Sequence, residues 1–164
     1  MLDRGIEHLT TLLKRFSAVT LAAMMLLTCV DVVGRAAGRP VTGAVEVTGL
    51  LATLTLAFSL PYTQRVRGHV GVDLLFQYVG SRTQAAIEAL TGCLAMLLFG
   101  AIAWKSAEYA AQMRASGEVS MTLQLPTYLV IYLIAGSFAV LALVQGSGVL
   151  QSAAASLGLR GEHR

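Results

Sequence analysis

The stretch VTGLLATLTLAFSLPYTQ, residues 47–64, decides the fold of this chain. It contains no charged residue, and as an α-helix at about 1.5 Å per residue it would be about 27 Å long. That length is close to the hydrocarbon core of a bilayer, which is about 30 Å thick. The stretch is therefore predicted to cross a membrane as a helix, although Pro61 can terminate or kink the helix near its end.

The composition of the whole chain also indicates a membrane protein. Of its 164 residues, 55% are hydrophobic and 13% are charged, and the mean hydropathy is +0.68. Soluble domains carry about 25% charged residues, because a small fold needs polar side chains to cover its surface. A soluble enzyme and a disordered tail are thereby excluded, and the length predicts one domain over residues 1–164.

Three further apolar runs are separated by charged residues, which predicts an all-α integral membrane protein with four transmembrane helices. The last helix is expected to begin at Pro126, because proline is favoured in the first turn of a helix. The first run follows Lys14-Arg15 like a secretory signal but ends in Asp31 and Arg35, so we expect it to remain uncleaved. The predicted spans are approximately residues 13–33, 45–64, 84–108 and 127–147.

The distribution of basic residues predicts the orientation in the membrane. With the N-terminus inside, eight basic residues lie inside (Arg4, Lys14, Arg15, Arg65, Arg67, Arg82, Arg160, Arg164) and four outside (Arg35, Arg39, Lys105, Arg114). Both termini are therefore expected in the cytoplasm.

The segment between the second and third spans is too polar to cross the membrane. Val72, Leu75, Phe76 and Val79 recur in it at helical spacing. This pattern predicts a short amphipathic interfacial helix over approximately residues 70–80, lying in the headgroup plane. The alternative is an ordinary loop packed on its own helices.

Ionisable residues stand at the ends of the predicted spans, whereas a transport pathway needs polar groups at bilayer depth. Asp31 and Arg35 are spaced as an intrahelical ion pair, and Glu46 opens the second span. His69 is the only histidine near a span, which disfavours a bis-histidine haem anchor. The chain shows no nucleophile–base pair, phosphate loop or metal-ligand spacing, and its basic residues are too scattered for nucleic acid. We expect no enzyme, no cofactor and no metal.

Small side chains form stripes on three of the predicted helices. Such stripes let helix backbones approach closely in lipid. They predict either packing among these four helices or docking onto a partner protein. The stripes are Thr48, Ala52, Thr55 and Ser59; Ala103, Ala107 and Ala111; and Ala135, Ala139, Ala142 and Gly146.

Several short motifs occur in a characteristic order along these helices. Arg35, Pro40 and Glu46 lie around the start of the second span, Gly68-His69 and Val72-Asp73 follow it, and Gly117 and Ser120 precede Leu125-Pro126. In this order the chain resembles the small membrane subunit of tripartite ATP-independent periplasmic (TRAP) transporters, the DctQ-like proteins. It departs from them in having its only tryptophan, Trp104, in the third span and a single acidic residue where paired acids are common.

The resemblance implies an accessory scaffold subunit in the bacterial inner membrane. Its expected partners are a large DctM-like membrane subunit that holds the ion and substrate sites, a periplasmic solute-binding protein, and membrane lipid. The complex would take up a carboxylate-bearing solute, such as a dicarboxylate, by ion-coupled symport.

The resemblance also assigns roles to particular residues. Arg35 and Glu46 are expected at the outer face, contacting the binding protein or each other. Gly68, His69 and Asp73 are expected to shape the turn into the interfacial helix. The alternative for all five is local folding of the subunit itself.

Two rival functions follow from other readings of the same helices. The first is a self-sufficient homo-oligomeric four-helix transporter, which needs an acidic residue embedded in its first helix; here Asp31 stands at the end of that helix. The second is an assembly factor or signalling subunit, which would have a different stable partner.

Overall fold

Four long helices make up the described part of the chain. The computed structural model describes the backbone of residues 2–66 and 81–156, with the side chains of residues 5–66, 87 and 90–149. The helices are α1 (Leu2–Ala36), α2 (Ala44–Arg65), α3 (Ser81–Ser116) and α4 (Thr127–Ser156).

Each of the four helices is long and apolar enough to cross a membrane. The predicted all-α fold with four membrane-spanning helices is therefore confirmed. The predicted interfacial helix over residues 70–80 lies outside the described residues, and the cytoplasmic location of both termini stays a prediction.

The helices lie in the order α1, α2, α4, α3 rather than in chain order. Within the described ranges, α1 packs mainly on α2, α2 on α4, and α3 almost entirely on α4, while α1 touches α4 only slightly. Two hairpins, α1–α2 and α3–α4, are thus joined along the α2–α4 contact. This open row leaves apolar side chains exposed on its flanks, among them Leu26, Leu97 and Trp104.

Hydroxyl groups join α1 to α2. The Ser17 hydroxyl donates to the backbone carbonyl of Thr55 at 3.0 Å, and the hydroxyl oxygens of Thr20 and Thr55 lie 2.8 Å apart. The rings of Phe16 and Phe58 pack beside them with centroids 6.3 Å apart. Because lipid offers no hydrogen bonds, polar groups on membrane helices must find such partners within the protein.

Pro61 does not end α2, which continues to Arg65. A proline has no backbone N–H, so the carbonyl four residues earlier, that of Ala57, loses its helical hydrogen bond. In this structure the buried Ser137 hydroxyl of α4 donates to that carbonyl. The defect that proline makes in α2 is thus repaired by a side chain of the neighbouring helix.

Two more polar contacts join α2 to the second hairpin, one toward each end. At one end the Gln64 side-chain amide donates to the Gln145 side-chain oxygen at 2.6 Å. At the other end the Leu123 backbone N–H donates to the Glu46 carboxylate at 3.3 Å. Together with the Ser137 bond, these contacts fix the position of α4 along α2.

A close helix crossing holds α3 against α4. A Cβ atom at Gly92 would lie 2.6 Å from Cγ2 of Val149, which is closer than any real contact. The absence of a side chain at Gly92 therefore lets the two backbones approach, as small residues do in membrane helix pairs.

The Ser137–Ala57 bond yields a first prediction. Ser137→Ala should lower the free energy of unfolding by about 1 kcal/mol, within the range found for hydrogen bonds between membrane helices. In a Pro61→Ala background the restored N–H binds the Ala57 carbonyl, so the same serine change should cost much less. Unfolding in detergent micelles measures both costs.

Ser147→Ala is the matched control for this cycle. The Ser147 hydroxyl donates to the Val144 carbonyl of its own helix at 2.7 Å, so its cost should not depend on residue 61. An equal cost of Ser137→Ala in both backgrounds would contradict the repair of the proline defect.

Candidate functional site

The connection between α1 and α2 is closed by a buried carboxylate. Asp31, only 8% exposed, accepts hydrogen bonds from Nε of Arg35 at 2.8 Å and from the Val41 backbone N–H at 3.1 Å. One oxygen thus faces the last turn of α1 and the other holds the loop beyond it. The spacing of Asp31 and Arg35 predicted the first contact, but no sequence signal indicated the second.

The chain leaves α1 through a tight turn at Gly38, which has a φ of 73°. The Gly38 N–H donates to the Arg35 carbonyl at 3.1 Å, and the Arg39 N–H donates to the Gly34 carbonyl at 2.8 Å. These two bonds form a Schellman motif, in which a left-handed glycine ends the helix.

Glu46 in the first turn of α2 holds the loop between α3 and α4, residues 117–126. The Glu46 carboxylate accepts the Leu123 N–H. The Leu123 side chain also covers the start of α2, where it lies against Gly43. The loop then leads through Pro126 into α4, where the Pro126 carbonyl accepts the Leu129 N–H at 3.1 Å. Sequence analysis missed Leu123 as the partner of Glu46.

Arg35 and Glu46 therefore belong to two separate contacts. Among the described residues Arg35 pairs with Asp31, and no hydrogen bond or ion pair joins it to Glu46. The Arg35 side chain remains 57% exposed despite its ion pair, and nearby Arg39 is exposed as well. This end of the α1–α2 hairpin thus presents two positive charges to the surroundings.

An apolar groove runs between α3 and α4 on the face that α2 does not cover. Its volume is about 810 Å³, and it joins two of the predicted small-residue stripes. Ala103 and Ala107 line it from α3, and Ala135, Ala139 and Ala142 line it from α4.

Larger side chains stand along the walls of this groove. Trp104, which is 74% exposed, and Leu97 border it on α3, while Tyr132 and Leu143 border it on α4. None of the residues that line it is ionisable at neutral pH, so the groove can accept an apolar helix or acyl chain but not an ion. The described residues contain no group of three His, Cys, Asp or Glu side chains that could hold a metal.

Comparison with protein-family sequence models identifies a family for this chain. A sequence model of the DctQ component of tripartite ATP-independent periplasmic transporters matches residues 24–155. The chain belongs to this family. No curated protein and no solved structure was found that matches it.

Membership in the DctQ family makes the chain a small membrane component of a TRAP transporter. The family is a class of transporter component and not of enzyme, and its four helices make the protein a multi-pass membrane protein. The six residues that the sequence suggests as structural or partner-contact sites all lie within the matched range: Arg35, Glu46, Gly68, His69, Asp73 and Pro126. Three of them, Gly68, His69 and Asp73, fall outside the described residues, so their contacts stay predictions.

Two glycines of the α1–α2 connection and one within α2 test the contact between the start of α2 and the 117–126 loop. Gly43 has a φ of 76°, and a Cβ there would lie 2.6 Å from Cγ of Leu123. Gly38 has a left-handed φ with no atom near its missing Cβ, and Gly49 has neither constraint.

We expect Gly43→Ala to destabilise the protein most. Gly38→Ala should cost about 1–2 kcal/mol from its left-handed backbone alone. Gly49→Ala should be neutral or stabilise by up to about 1 kcal/mol, since alanine favours a helix. Thermal unfolding in detergent checks the order, and equal losses at Gly43 and Gly38 would show that packing of Leu123 contributes nothing.

Proposed function

We propose that this chain is the accessory scaffold subunit of a TRAP transporter in a bacterial inner membrane. It supports a large DctM-like membrane subunit, which carries out ion-coupled uptake of a carboxylate-bearing solute such as a dicarboxylate. A periplasmic binding protein delivers the solute. Family membership supports the tripartite system, and the arrangement of the helices supports the scaffold role within it.

The observation that carries the scaffold role is the open row of helices. A self-sufficient transporter needs a bundle that encloses polar groups around a pathway. Here the described hydroxyls and amides between the helices bind one another or a backbone carbonyl, and the α3–α4 groove is lined by alanine and larger apolar or aromatic side chains. Such a row is suited to extend the surface of a larger membrane protein.

The groove between α3 and α4 is the face that we assign to the large subunit. Small residues on both walls let a partner helix approach closely, and packing is a principal source of helix association in lipid. Trp104 and Leu143 at the walls would then cover that helix from either side.

The exposed charges at the outer end support a contact with the binding protein. Arg35 keeps more than half of its side chain exposed while its ion pair with Asp31 holds it in place. We therefore keep Arg35 as a proposed contact, whereas the bond of Glu46 to Leu123 favours a role in holding the outer loop.

Filling the groove tests the proposed docking face. Ala139→Leu should lower the yield of large subunit that copurifies with the tagged chain, because the larger side chain fills the part of the groove where a helix of the large subunit would pack. Ala139→Lys should be more severe, because a charge at the centre of a membrane helix costs about 2.5–3.5 kcal/mol on insertion scales.

Ala22→Leu is the matched control, since Ala22 lies exposed on α1 away from the groove. This variant should copurify the large subunit normally. Normal copurification with Ala139→Leu, or equal losses with both variants, would contradict the assignment of the groove as the docking face.

The segment that follows α2 gives a separate prediction. His69→Ala or Asp73→Ala should lower the yield of assembled complex more than it changes the apparent affinity for solute, because a scaffold does not touch the solute. Complex yield and concentration-dependent uptake are measured on the same membranes. Altered affinity in a normally assembled complex would argue against the scaffold role.

A further inference from the structure

Helix α1 is longer than a membrane crossing requires. Its 35 residues correspond to about 52 Å at about 1.5 Å per residue, against a hydrocarbon core of about 30 Å. The apolar run begins at Phe16 and continues to Val30. The turns before Phe16 therefore reach the level of the lipid headgroups and beyond it.

Three polar side chains share one face of these turns. His8, Thr11 and Arg15 follow at helical spacing, and His8 and Arg15 are exposed. None of the three makes a hydrogen bond or ion pair with a described residue. The adjacent Thr10 differs, because its hydroxyl donates to the carbonyls of Ile6 and Glu7.

The charged side chains near this face are mostly positive, and two of them are held by neighbouring residues. Nζ of Lys14 lies 4.1 Å from the centre of the Tyr62 ring, and Arg65 of α2 pairs with Glu7 at 3.4 Å. Among the side chains that the structure describes, Glu7 is the one carboxylate at this end, and Arg65 engages it. Lys14 and Arg15 add two further cations at the same end of the hairpin. The potential around this end attracts an anion.

Below Arg15 the same face of α1 is apolar and uncovered. Val19, Leu26 and Val33 follow it at helical spacing with 65%, 68% and 69% of their surface exposed. A group bound at Arg15 would therefore have an apolar track beneath it, along which an acyl chain can lie.

We propose that this face binds an anionic phospholipid, with its phosphate held by Arg15, Thr11 and His8. A guanidinium binds two phosphate oxygens at once, and the hydroxyl and imidazole supply further donors. The acyl chain lies along Val19 and Leu26. The lipid, rather than a soluble phosphate, is the occupant because the cations and the apolar track are continuous. This inference depends on neither the solute nor the large subunit.

The test compares the purified chain in nanodiscs of phosphatidylcholine with and without phosphatidylglycerol. Phosphatidylglycerol should raise the melting temperature of the wild type, and native mass spectrometry should show it retained. Arg15→Gln should weaken retention about fivefold, the ratio that corresponds to about 1 kcal/mol per basic residue near an anionic surface. Thr11→Val should also weaken it.

Arg39→Gln is the matched control, since Arg39 is an exposed arginine at the other end of the hairpin. It should retain phosphatidylglycerol like the wild type, and all variants should melt alike in pure phosphatidylcholine. Equal losses with Arg39→Gln would overturn the site in favour of general charge attraction. Equal stabilisation by free glycerol phosphate would overturn the lipid as occupant.

Discussion

The structure depends on one backbone carbonyl, that of Ala57, which Pro61 deprives of its helical hydrogen bond. In water a solvent molecule would bind it, but the hydrocarbon core of a bilayer offers no donor, so the protein itself must supply one. The Ser137 hydroxyl of α4 donates to it across a buried contact. The proline that interrupts α2 thereby determines which helix α2 must lie against.

This constraint explains the order of the helices in space. Each hairpin is held by its own contacts: hydroxyls between α1 and α2, and the close crossing at Gly92 between α3 and α4. Among the described residues the hairpins meet mainly where α2 meets α4, at Ser137, at the Gln64–Gln145 pair and at Glu46, with only a slight contact between α1 and α4. Because α2 and α4 are the two middle helices of the row, the outward faces of α1 and α3 are not covered by other helices of the described chain. One flank carries the α3–α4 groove, and the other carries the exposed face of α1.

The sequence predicted the fold class well, because charged residues separate the apolar runs and run length matches bilayer thickness. It could not predict the neighbours of each helix. Several faces carry small residues, and such stripes do not distinguish an internal contact from a docking face. Ala103 and Ala139 line an open groove, whereas Thr55 is used within the α1–α2 contact.

Contacts that join distant segments were also beyond sequence analysis. The pair of Asp31 and Arg35 has a local signature, but the bond from the Val41 N–H to Asp31 depends on the path of a turn. Likewise, Pro61 indicated a defect in α2, and only the packing of α4 reveals its repair. The roles proposed for His69 and Asp73 rest on the family resemblance alone, because both residues lie outside the described residues.

The most direct test of the scaffold account is to tag the chain, extract it gently from native membranes, and identify the proteins that copurify. The account predicts a large multi-helix membrane subunit in stable complex, with or without a periplasmic binding protein. A homo-oligomer that copurifies without such a subunit and transports a solute by itself in proteoliposomes would contradict it.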